Sequence, residues 1–456
     1  MAKKPTATAP SHIVIIGGGL AGMSAACHLL DAGHKVTLVE KRPYLGGRAF
    51  SFTDRETGQM VDNGQHVFLG CCDYYIDFLK KLSTFQNAYL QSKLSIKVST
   101  PGAKSSRLWS APLPSPFHLL PSFLGYRHLS LKEKLLAIYA LAVIRFTNRY
   151  RTRLGEQTFS DWLSSHSQSP RAIENLWNLI VKPCVNDDVK CTSAFMGLMI
   201  FQEGIMKSRR SACVGYARVG LSALMADAAQ SYIQSRHGRL IMGKSATALN
   251  IRNGKVESLE LSDGTSIHGD FFISALPADA LSTLLASEVK AQPYFEALSK
   301  FQTAPIVNVH LWYDRPVMTE DFVALVESPL QWVFNLDAIQ GGDGSGGKRV
   351  SISLSGAFEY IDQPKEALQK TFVEAMAQAF PAARQAKIER VLIVKQDKAT
   401  FRCLPGIEKL RPKAKSPIRN LFLAGEWTDT GWPSTMEGAV RSGVKAAEAI
   451  QTLLHE

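Results

Sequence analysis

The chain has 456 residues, of which 45% are hydrophobic and 20% charged, and its formal net charge at pH 7 is +12. These values are ordinary for a globular protein of two or three domains with a core large enough to enclose a ligand. The charge suits nucleic acid or an anionic membrane surface, but no helix-turn-helix, zinc-finger or RNA-binding motif accompanies it, so we expect no nucleic-acid partner. A basic surface on a soluble protein is the ordinary alternative.

Cysteines and apolar runs limit the classes of site and of compartment. The seven cysteines are odd in number and include no C-x-x-C pair, which argues against a disulfide framework or a metal site and fits a reducing cytosol. The basic opening, residues 1–5, has no apolar core after it, so no signal peptide is expected. The longest later apolar run, residues 135–144, is too short to span a bilayer.

The first predicted elements form a βαβ unit. Strands are predicted at residues 12–16 and 35–39, and a helix between them at residues 23–32. A glycine-rich turn joins the first strand to the helix, and Glu40 follows the second strand. A strand, turn, helix, second strand and acid in this order predict a dinucleotide-binding unit.

The turn has the spacing G-x-G-x-x-G. Gly17 permits the tight turn, Gly19 lets the backbone approach a pyrophosphate, and Gly22 lets the helix pack closely on the strand. The helix start offers N–H groups and a partial positive charge to phosphates, and the acid can bind the adenosine ribose hydroxyls. The expected contacts in this unit are Gly17, Gly19, Leu20, Ala21, Gly22, Glu40 and Lys41.

A second glycine pair follows at Gly46-Gly47, in a segment that ends at Arg48. Gly47 offers another close approach of backbone to a large cofactor, and Arg48 can neutralise a pyrophosphate. An NAD-binding domain does not need this element. An ordinary turn is the alternative interpretation.

Residues 109–146 combine prolines with bulky apolar groups and end in a predicted helix at residues 131–146. The elements predicted after it are, in chain order, a largely helical region at 157–232, a β-meander at 239–242, 246–251, 256–261 and 270–275, strands at 306–313 and 350–354, a helix at 364–380, a strand at 387–395, a buried strand at 420–425 and a closing helix at 438–454.

A third motif lies near the C-terminus, where the buried strand at 420–425 delivers Glu426 to its end. The helix that begins near Gly438 can stabilise the negative charge on the N1–C2=O edge of a reduced flavin, and Glu426 can accept hydrogen bonds from its ribityl chain. The contacts expected here are Gly425, Glu426, Met436, Gly438, Ala439 and Val440.

The three motifs together resemble those of the amine-oxidase/carotenoid-desaturase superfamily of flavoproteins. The resemblance implies a mixed α/β (α+β) fold, with a Rossmann-like FAD-binding domain and a discontinuous substrate domain that contains a second mixed sheet and helices. It implies one non-covalent FAD enclosed by both ends of the chain, with the backbone around Ala246 meeting the adenine. The FAD-binding domain is expected at 1–108, 211–285 and 396–456, and the substrate-binding and membrane-docking domain at 109–210 and 286–395.

A narrower resemblance comes from residues 61–70, which contain Asp-Asn-Gly-Gln-His, and from residues 304–313 and 428–443. These segments are similar to those of the hydroxysqualene dehydroxylases, which implies reduction of hydroxysqualene to squalene in squalene and hopanoid biosynthesis. Hydride would pass from reduced flavin N5 to an allylic cation, and an unidentified donor would reduce the FAD.

Other functions remain open. Phytoene and ζ-carotene desaturases carry a related segment and are the nearest alternative, and a non-catalytic lipid carrier that retains FAD is an alternative of another class. Flavin monoamine oxidases fit less well, because residues 303–305 lack the lysine that those enzymes place near flavin N5, although Lys300 is close in sequence.

Loss of a hydroxyl group requires an acid, and His66 is the candidate because histidine titrates near neutral pH. The alternative is that His66 only hydrogen-bonds the flavin or the backbone. Asp62 and Gln65 assist, or simply fix the turn. Asp429 is a second candidate acid, or a loop residue that bonds the backbone.

An isoprenoid has no charged handle, so its binding requires a long apolar tunnel that gains about 0.8 kcal/mol per buried CH₂. The residues expected to contact substrate or membrane are Trp109, Phe117, Leu120, Phe123, Trp427 and Trp432. The first four, with basic neighbours, suit insertion at an anionic membrane surface, or else they line the tunnel or core. The two C-terminal tryptophans face the isoalloxazine or a cation, or only pack. We expect a cytoplasmic protein peripherally associated with the inner face of the cell membrane.

Overall fold

The computed structural model describes residues 10–341 and 346–455. The opening segment on which the expectation of no signal peptide rests lies outside these residues. The strands are β1 (His12–Ile16), β2 (Lys35–Glu40), β3 (Ser51–Thr53), β4 (Met60–Asp62), β5 (Val67–Leu69), β6 (Ala88–Leu90), β7 (Ser95–Ser99), β8 (Ser105–Trp109), β9 (Val214–Ala217), β10 (Arg239–Met242), β11 (Ala246–Arg252), β12 (Lys255–Leu261), β13 (Ser266–Ile267), β14 (Phe271–Ser274), β15 (Thr303–Tyr313), β16 (Phe322–Leu325), β17 (Trp332–Asn335), β18 (Arg349–Ser355), β19 (Ile388–Phe401) and β20 (Leu421–Leu423).

Helices cover the sheets and form a separate helical region. They are α1 (Leu20–Asp31), α2 (Asp73–Lys81), α3 (Leu120–Leu124), α4 (Leu131–Phe146), α5 (Thr152–Glu156), α6 (Phe159–Ser165), α7 (Pro170–Ala172), α8 (Leu179–Val185), α9 (Ala194–Met199), α10 (Asp227–Ser235), α11 (Ala278–Leu284), α12 (Ser287–Lys290), α13 (Pro293–Glu296), α14 (Leu336–Ile339), α15 (Lys365–Ala379) and α16 (Met436–His455). Short π-helical stretches adjoin α8, α9 and α10.

A five-stranded parallel sheet in the order β10-β2-β1-β14-β20 forms the first core. Strands β1, β14 and β20 are apolar and almost fully buried, as expected of a parallel sheet, whereas the edge strand β10 is only half-buried. Helices α1 and α16 approach so closely that a Cβ on Gly443 would lie 2.1 Å from the Ala21 carbonyl oxygen. The predicted βαβ unit is confirmed.

All four strands predicted for the β-meander are present, but two of them belong to another sheet. Only β11, β12 and β13 form an antiparallel meander, whereas β10 and β14 join the parallel sheet. Strand β14 is buried along nearly its whole length and pairs with β1 and β20, while β11 has one buried residue, Leu249, among half-buried and exposed ones. Burial on both faces is the property that assigns β14 to the inner sheet.

The second sheet has seven strands in the order β19-β15-β18-β17-β16-β7-β8. All neighbours are antiparallel except β16 and β7. Strand β7 and all of β8 except Trp109 fall in the range 1–108 expected for the FAD-binding domain, and β19 crosses the expected boundary at residue 396. These strands pair within the second sheet, and the domain boundaries themselves stay a prediction.

The helical region contains the predicted helix at residues 131–146 with unchanged bounds. Its start is fixed by a capping box, in which Ser130 and Glu133 bond each other's backbone N–H. The region predicted as helical at 157–232 is interrupted by β9, which pairs with β5 and β6. Across residues 10–341 and 346–455, no helix combines the length and apolarity needed to cross a membrane.

Candidate active site

The two glycine-rich turns face each other beside the end of β1. A Cβ on Gly22 would lie 1.9 Å from the Gly17 carbonyl oxygen, so only glycine allows α1 to pack on this turn. A Cβ on Gly47, at φ +61°, would lie 2.9 Å from the Gly19 Cα atom. The Gly46 N–H donates to the Gly18 carbonyl oxygen at 2.9 Å. The second glycine pair is therefore packed on the first turn, and both expose backbone to a ligand.

Glu40 lies at the end of β2, almost fully buried at the same turn. Its carboxylate accepts hydrogen bonds from the Gly18 N–H at 2.7 Å and from the Arg42 N–H at 2.9 Å. Helix α1 starts after Gly19 without any side-chain cap, so its first N–H groups are free to bind phosphate. This arrangement fits the pyrophosphate and ribose of a dinucleotide.

Arg48 and Glu426 join the N-terminal and C-terminal motifs. The Arg48 guanidinium donates to the Glu426 carboxylate at 2.5 Å and to the Ala399 carbonyl oxygen at 3.1 Å. The Ser434 hydroxyl donates to the other Glu426 oxygen at 3.3 Å. Burial raises the pKa of Glu426, but the charge of Arg48 and its hydrogen bond outweigh that effect and lower the pKa overall. Arg48 and Glu426 also line the cavity described below, so their expected contacts with the pyrophosphate and the ribityl chain stay a prediction.

The start of α16 faces the same site. The Gly438 N–H donates to the Thr435 hydroxyl at 3.2 Å, and a Cβ on Gly438 would lie 2.5 Å from the Pro433 carbonyl oxygen. Met436 and Ala439 line the cavity described below, but Gly438 does not. Val440 is also absent from the lining, because its carbonyl oxygen accepts from the Ser24 hydroxyl of α1 and its side chain is in the core. Gly438 and Val440 pack beside the site, and their expected contacts with the cofactor stay a prediction.

One continuous cavity of about 1540 Å³ links these turns to the helical region. At the far end it reaches α4, where Arg145 and Phe146 are exposed to solvent. Of the residues expected to contact cofactor or substrate, those that line it are Gly17, Gly19, Leu20, Ala21, Glu40, Lys41, Gly47, Arg48, Gln65, His66, Phe117, Leu120, Phe123, Ala246, Gly425, Glu426, Trp427, Trp432, Met436 and Ala439.

His66 lies on the cavity wall. Its Nδ1 bonds the Gly64 carbonyl oxygen at 2.8 Å, and because a carbonyl cannot donate, Nδ1 carries the proton. Burial lowers the pKa of His66, against the opposing effects of that hydrogen bond and of Asp62. The ring is therefore neutral at pH 7, with Nε2 left as a proton acceptor. The expected backbone hydrogen bond is present, and the ring is better suited to act as a base than as an acid.

The other candidate acids lie off the cavity. The Asp62 carboxylate accepts from the Ser51 hydroxyl at 2.7 Å, the Leu221 N–H at 2.9 Å and the Gln340 amide at 3.1 Å. These bonds support the interpretation that Asp62 fixes the turn, although burial raises its pKa. Asp429 is exposed and does not line the cavity, so the structure corrects its assignment as a catalytic acid.

The aromatic candidates divide into core, cavity and surface. Trp427 is buried, donates from Nε1 to the Leu276 carbonyl oxygen at 2.9 Å and packs edge-to-face on Phe301, which supports the packing interpretation. Trp432 lies 4.5 Å from the Arg441 guanidinium. Trp109 is 42% exposed and outside the cavity lining. Phe123, at 7% exposure, lines the cavity, which supports the alternative that it is a wall residue.

Two supporting residues escaped sequence reasoning. The Glu437 carboxylate accepts from the Tyr75 N–H at 2.7 Å and so caps α2 from the start of α16. Asn63 accepts from the Phe50 N–H at 3.1 Å and donates to the Arg48 carbonyl oxygen at 2.9 Å, which fixes the loop that carries the ion pair. Asn63 lies in the segment 61–70 and Glu437 in the segment 428–443, but their hydrogen-bonding partners lie outside these segments. Among the described residues, no His, Cys, Asp and Glu side chains are grouped to hold a metal ion.

Comparison with known proteins identifies the family. The family model of flavin-containing amine oxidoreductases matches residues 20–451. The chain belongs to this family. Its cofactor is FAD, and the uncapped start of α1 with the buried Glu40 carboxylate fits that dinucleotide.

Curated relatives of this flavoprotein include carotenoid desaturases. The chain is 28% identical over 463 residues to 15-cis-phytoene desaturase of Solanum lycopersicum, covering 98% of this chain and 78% of the relative. It is 25% identical over 460 residues to the 15-cis-phytoene desaturase of Synechococcus elongatus, covering 96% and 95%. It is 26% identical over 474 residues to the ζ-carotene desaturase of Zea mays, covering 96% and 83%. The chain is thus a flavin oxidoreductase of the amine-oxidase/carotenoid-desaturase superfamily.

Solved structures share the fold of this flavoprotein. An oxidoreductase of Methanosarcina mazei superposes with a TM-score of 0.75 at 16% identity, over 96% of this chain and 100% of that one. Cyclohexylamine oxidase of Brevibacterium oxydans gives 0.72 at 16% identity, over 98% and 100%. At such identities the likeness concerns the fold alone.

Proposed function

We propose that this flavoprotein transfers a hydride between FAD and an allylic carbon of a long-chain isoprenoid. The observation that carries the proposal is the single cavity that continues from the dinucleotide turns into an apolar tunnel. Apolar side chains from several separate helical segments line the tunnel, including Ile138, Leu141, Leu176, Ile180, Phe201 and Met206. Such a wall binds an uncharged chain through burial of its CH₂ groups, each contributing about 0.8 kcal/mol.

Dehydrogenation of the carotenoid type is the first candidate reaction. The names of the curated relatives favour it. Bound FAD supplies the hydride acceptor. In this direction a base must take the proton from the carbon next to the one that loses hydride, and neutral His66 presents Nε2 for that purpose. The apolar wall excludes water from the reacting carbons.

Dehydroxylation of hydroxysqualene is the second candidate. Its support is that polar side chains line the same cavity as the apolar wall, among them Asn63, Gln65, His66 and Ser355. A hydrocarbon needs no hydrogen-bonding partner, whereas a buried hydroxyl group does. The segments at residues 61–70 and 428–443 favour the same reaction. In this direction His66 carries a proton to the leaving hydroxyl, and its lowered pKa makes the imidazolium scarce at neutral pH but strong as an acid.

Product analysis separates these reactions. Oxidised enzyme would be incubated with 15-cis-phytoene and an electron acceptor, and reduced enzyme with hydroxysqualene, each in detergent, before the lipids are extracted. An extra double bond in the first arm establishes dehydrogenation, and squalene in the second establishes dehydroxylation. Both lipids recovered unchanged, though bound, would overturn hydride transfer and favour the lipid carrier.

We also propose that the protein docks peripherally on the inner face of the cell membrane. Of the fourteen exposed large hydrophobic side chains among the described residues, nine lie between residues 109 and 150. On α4 they form an apolar stripe at helical spacing, which ends beside the cavity: Leu131, Leu135, Tyr139 and Phe146, exposed by 68%, 57%, 51% and 87%. A solvent-facing helix surface is ordinarily polar.

Charge near the stripe favours an anionic bilayer. Lys132 and Arg145 are exposed on the same helix, and Arg127 is exposed just before it. Because Phe146 and Arg145 also line the cavity, a chain drawn from the bilayer would enter beside them. Vesicle co-sedimentation tests the proposal. Binding to phosphatidylglycerol vesicles that weakens with salt supports it, and equal recovery in the supernatant with and without vesicles would overturn it.

A further inference from the structure

We propose that Asn308 holds the isoalloxazine ring of FAD by accepting a hydrogen bond at Oδ1 from one of its ring N–H groups. The motivating observation is that this oxygen is buried and has no hydrogen-bonding partner among the described residues. A buried acceptor without a donor is costly, so such an atom marks the place of a ligand that brings one. The inference depends on FAD as the cofactor and not on which isoprenoid is the substrate.

The position of Asn308 in the second sheet turns it toward the cavity. It lies near the middle of β15, paired with Ser353 of β18 on one side and Val394 of β19 on the other. Its neighbours in sequence, Val307 and Val309, pack on the opposite side of the sheet in the core under α15. Asn308 itself is only 2% exposed and lines the cavity, as does Ser353.

The orientation of the amide follows from its other contact. Nδ2 donates to the Asn63 carbonyl oxygen at 3.3 Å. A flipped amide would bring its oxygen against that carbonyl oxygen, two acceptors with no proton between them. A Cβ on Gly64 would lie 2.5 Å from Nδ2, so glycine at that position is what admits the amide. Oδ1 is therefore the atom left without a partner.

The same loop ties Asn308 to the cofactor end of the cavity. The Asn63 side chain donates to the Arg48 carbonyl oxygen, and Arg48 pairs with Glu426. The Nδ1 proton of His66 is used by Gly64, so His66 offers Oδ1 no donor from that nitrogen. A hydroxylated isoprenoid would bring one O–H during turnover only, and a hydrocarbon substrate has no N–H or O–H to offer. The flavin ring does, at N3 in both redox states and at N5 only when reduced.

The test compares Asn308→Leu, which keeps the approximate size and removes the acceptor, with Ser353→Ala as the matched control on the paired strand. FAD release from the purified holoenzyme would be followed by flavin fluorescence without substrate, and the midpoint potential measured on the same samples. If N3–H is the donor, the Kd for oxidised FAD rises about 5- to 100-fold. If N5–H is the donor, the Kd for oxidised FAD stays unchanged. The midpoint potential of the flavin then falls by about 30 mV for each tenfold loss in binding of the reduced form.

Either result supports the assignment. The assignment would be overturned if the Kd for oxidised FAD stayed within twofold of the wild-type value and the midpoint potential shifted by no more than a twofold change in reduced-state binding would produce. An equal effect from Ser353→Ala would also overturn it. If Asn308→Leu does not fold, Asn308→Ser shortens the side chain out of reach and is judged by the same two measurements.

Discussion

At the dinucleotide end of the cavity the contacts come from residues of fixed type and spacing, whereas at the apolar end they come from residues that share only size and apolarity. A single Cβ on Gly22 would meet backbone at 1.9 Å. On α4, by contrast, Ile138 and Leu141 need only fill space. One added atom can therefore abolish cofactor binding at the dinucleotide end, while the tunnel should tolerate volume-conserving changes.

Gly22→Ala should have the largest effect. The added methyl has no room between α1 and the glycine turn, so we expect a loss of about 3 kcal/mol or more in stability and purification without FAD. Flavin absorbance per protein measures it. Gly155→Ala is the control, because a Cβ there meets nothing within 4 Å. Full flavin occupancy in the Gly22 variant would show that this turn tolerates a side chain.

His66 lies where the two ends meet, and His66→Ala should lower kcat about 10²- to 10⁴-fold while FAD stays bound. The lowered pKa of His66 gives the pH dependence its sign. A base is active when neutral, so the rate of dehydrogenation should hold through pH 6.5 and fall only below it. A pH profile of kcat/KM measures this. A rate that rises as the pH falls would instead assign His66 as an acid, as dehydroxylation requires.

Arg48→Met should cost about 1–3 kcal/mol, less than a fully buried pair because the Arg48 side chain is 38% exposed. The depressed pKa of Glu426 stabilises the fold above the ordinary carboxyl pKa, and this contribution is lost as pH falls through the lowered value. The difference in Tm between wild type and variant should therefore be largest near neutral pH and disappear at acid pH. A gap independent of pH would exclude the ion pair as its source.

Substitutions in the apolar stripe on α4 should have the smallest effect on the enzyme itself. Leu131→Glu combined with Phe146→Glu should weaken vesicle binding about tenfold and leave Tm and flavin content unchanged, because both side chains are exposed. Phe358→Glu is the matched control, an exposed phenylalanine outside residues 109–150. Equal weakening by the control would show that binding depends on charge alone.

Local patterns predicted the βαβ unit and the bounds of α4, since turn glycines, capping residues and apolar runs act within a few residues. They failed where the partner is distant. Strand β14 pairs with β1, and β7 pairs with β16. Neither pairing can be predicted from the residues of the strand alone. Strands of three residues, such as β5, are too short to show a period.

The candidate site divides in the same way. Glycines at fixed spacing indicated the FAD contacts, but the pairing of Arg48 with Glu426 joins opposite ends of the chain. Asn308 stands in an ordinary strand, and only its unpartnered oxygen distinguishes it. Asp429 follows a buried strand, yet its loop turns it to solvent. Spacing predicts what a local backbone does, and long-range packing decides which side chains meet.

The most direct test of hydride transfer is an anaerobic single turnover followed by flavin absorbance, with the lipid extracted at its end. Oxidised enzyme would be mixed with 15-cis-phytoene, and photoreduced enzyme with hydroxysqualene. Hydride transfer predicts that the flavin changes redox state with one of these lipids, and that one product molecule forms per flavin. Flavin that keeps its redox state with both, while both lipids return unchanged, would contradict the account.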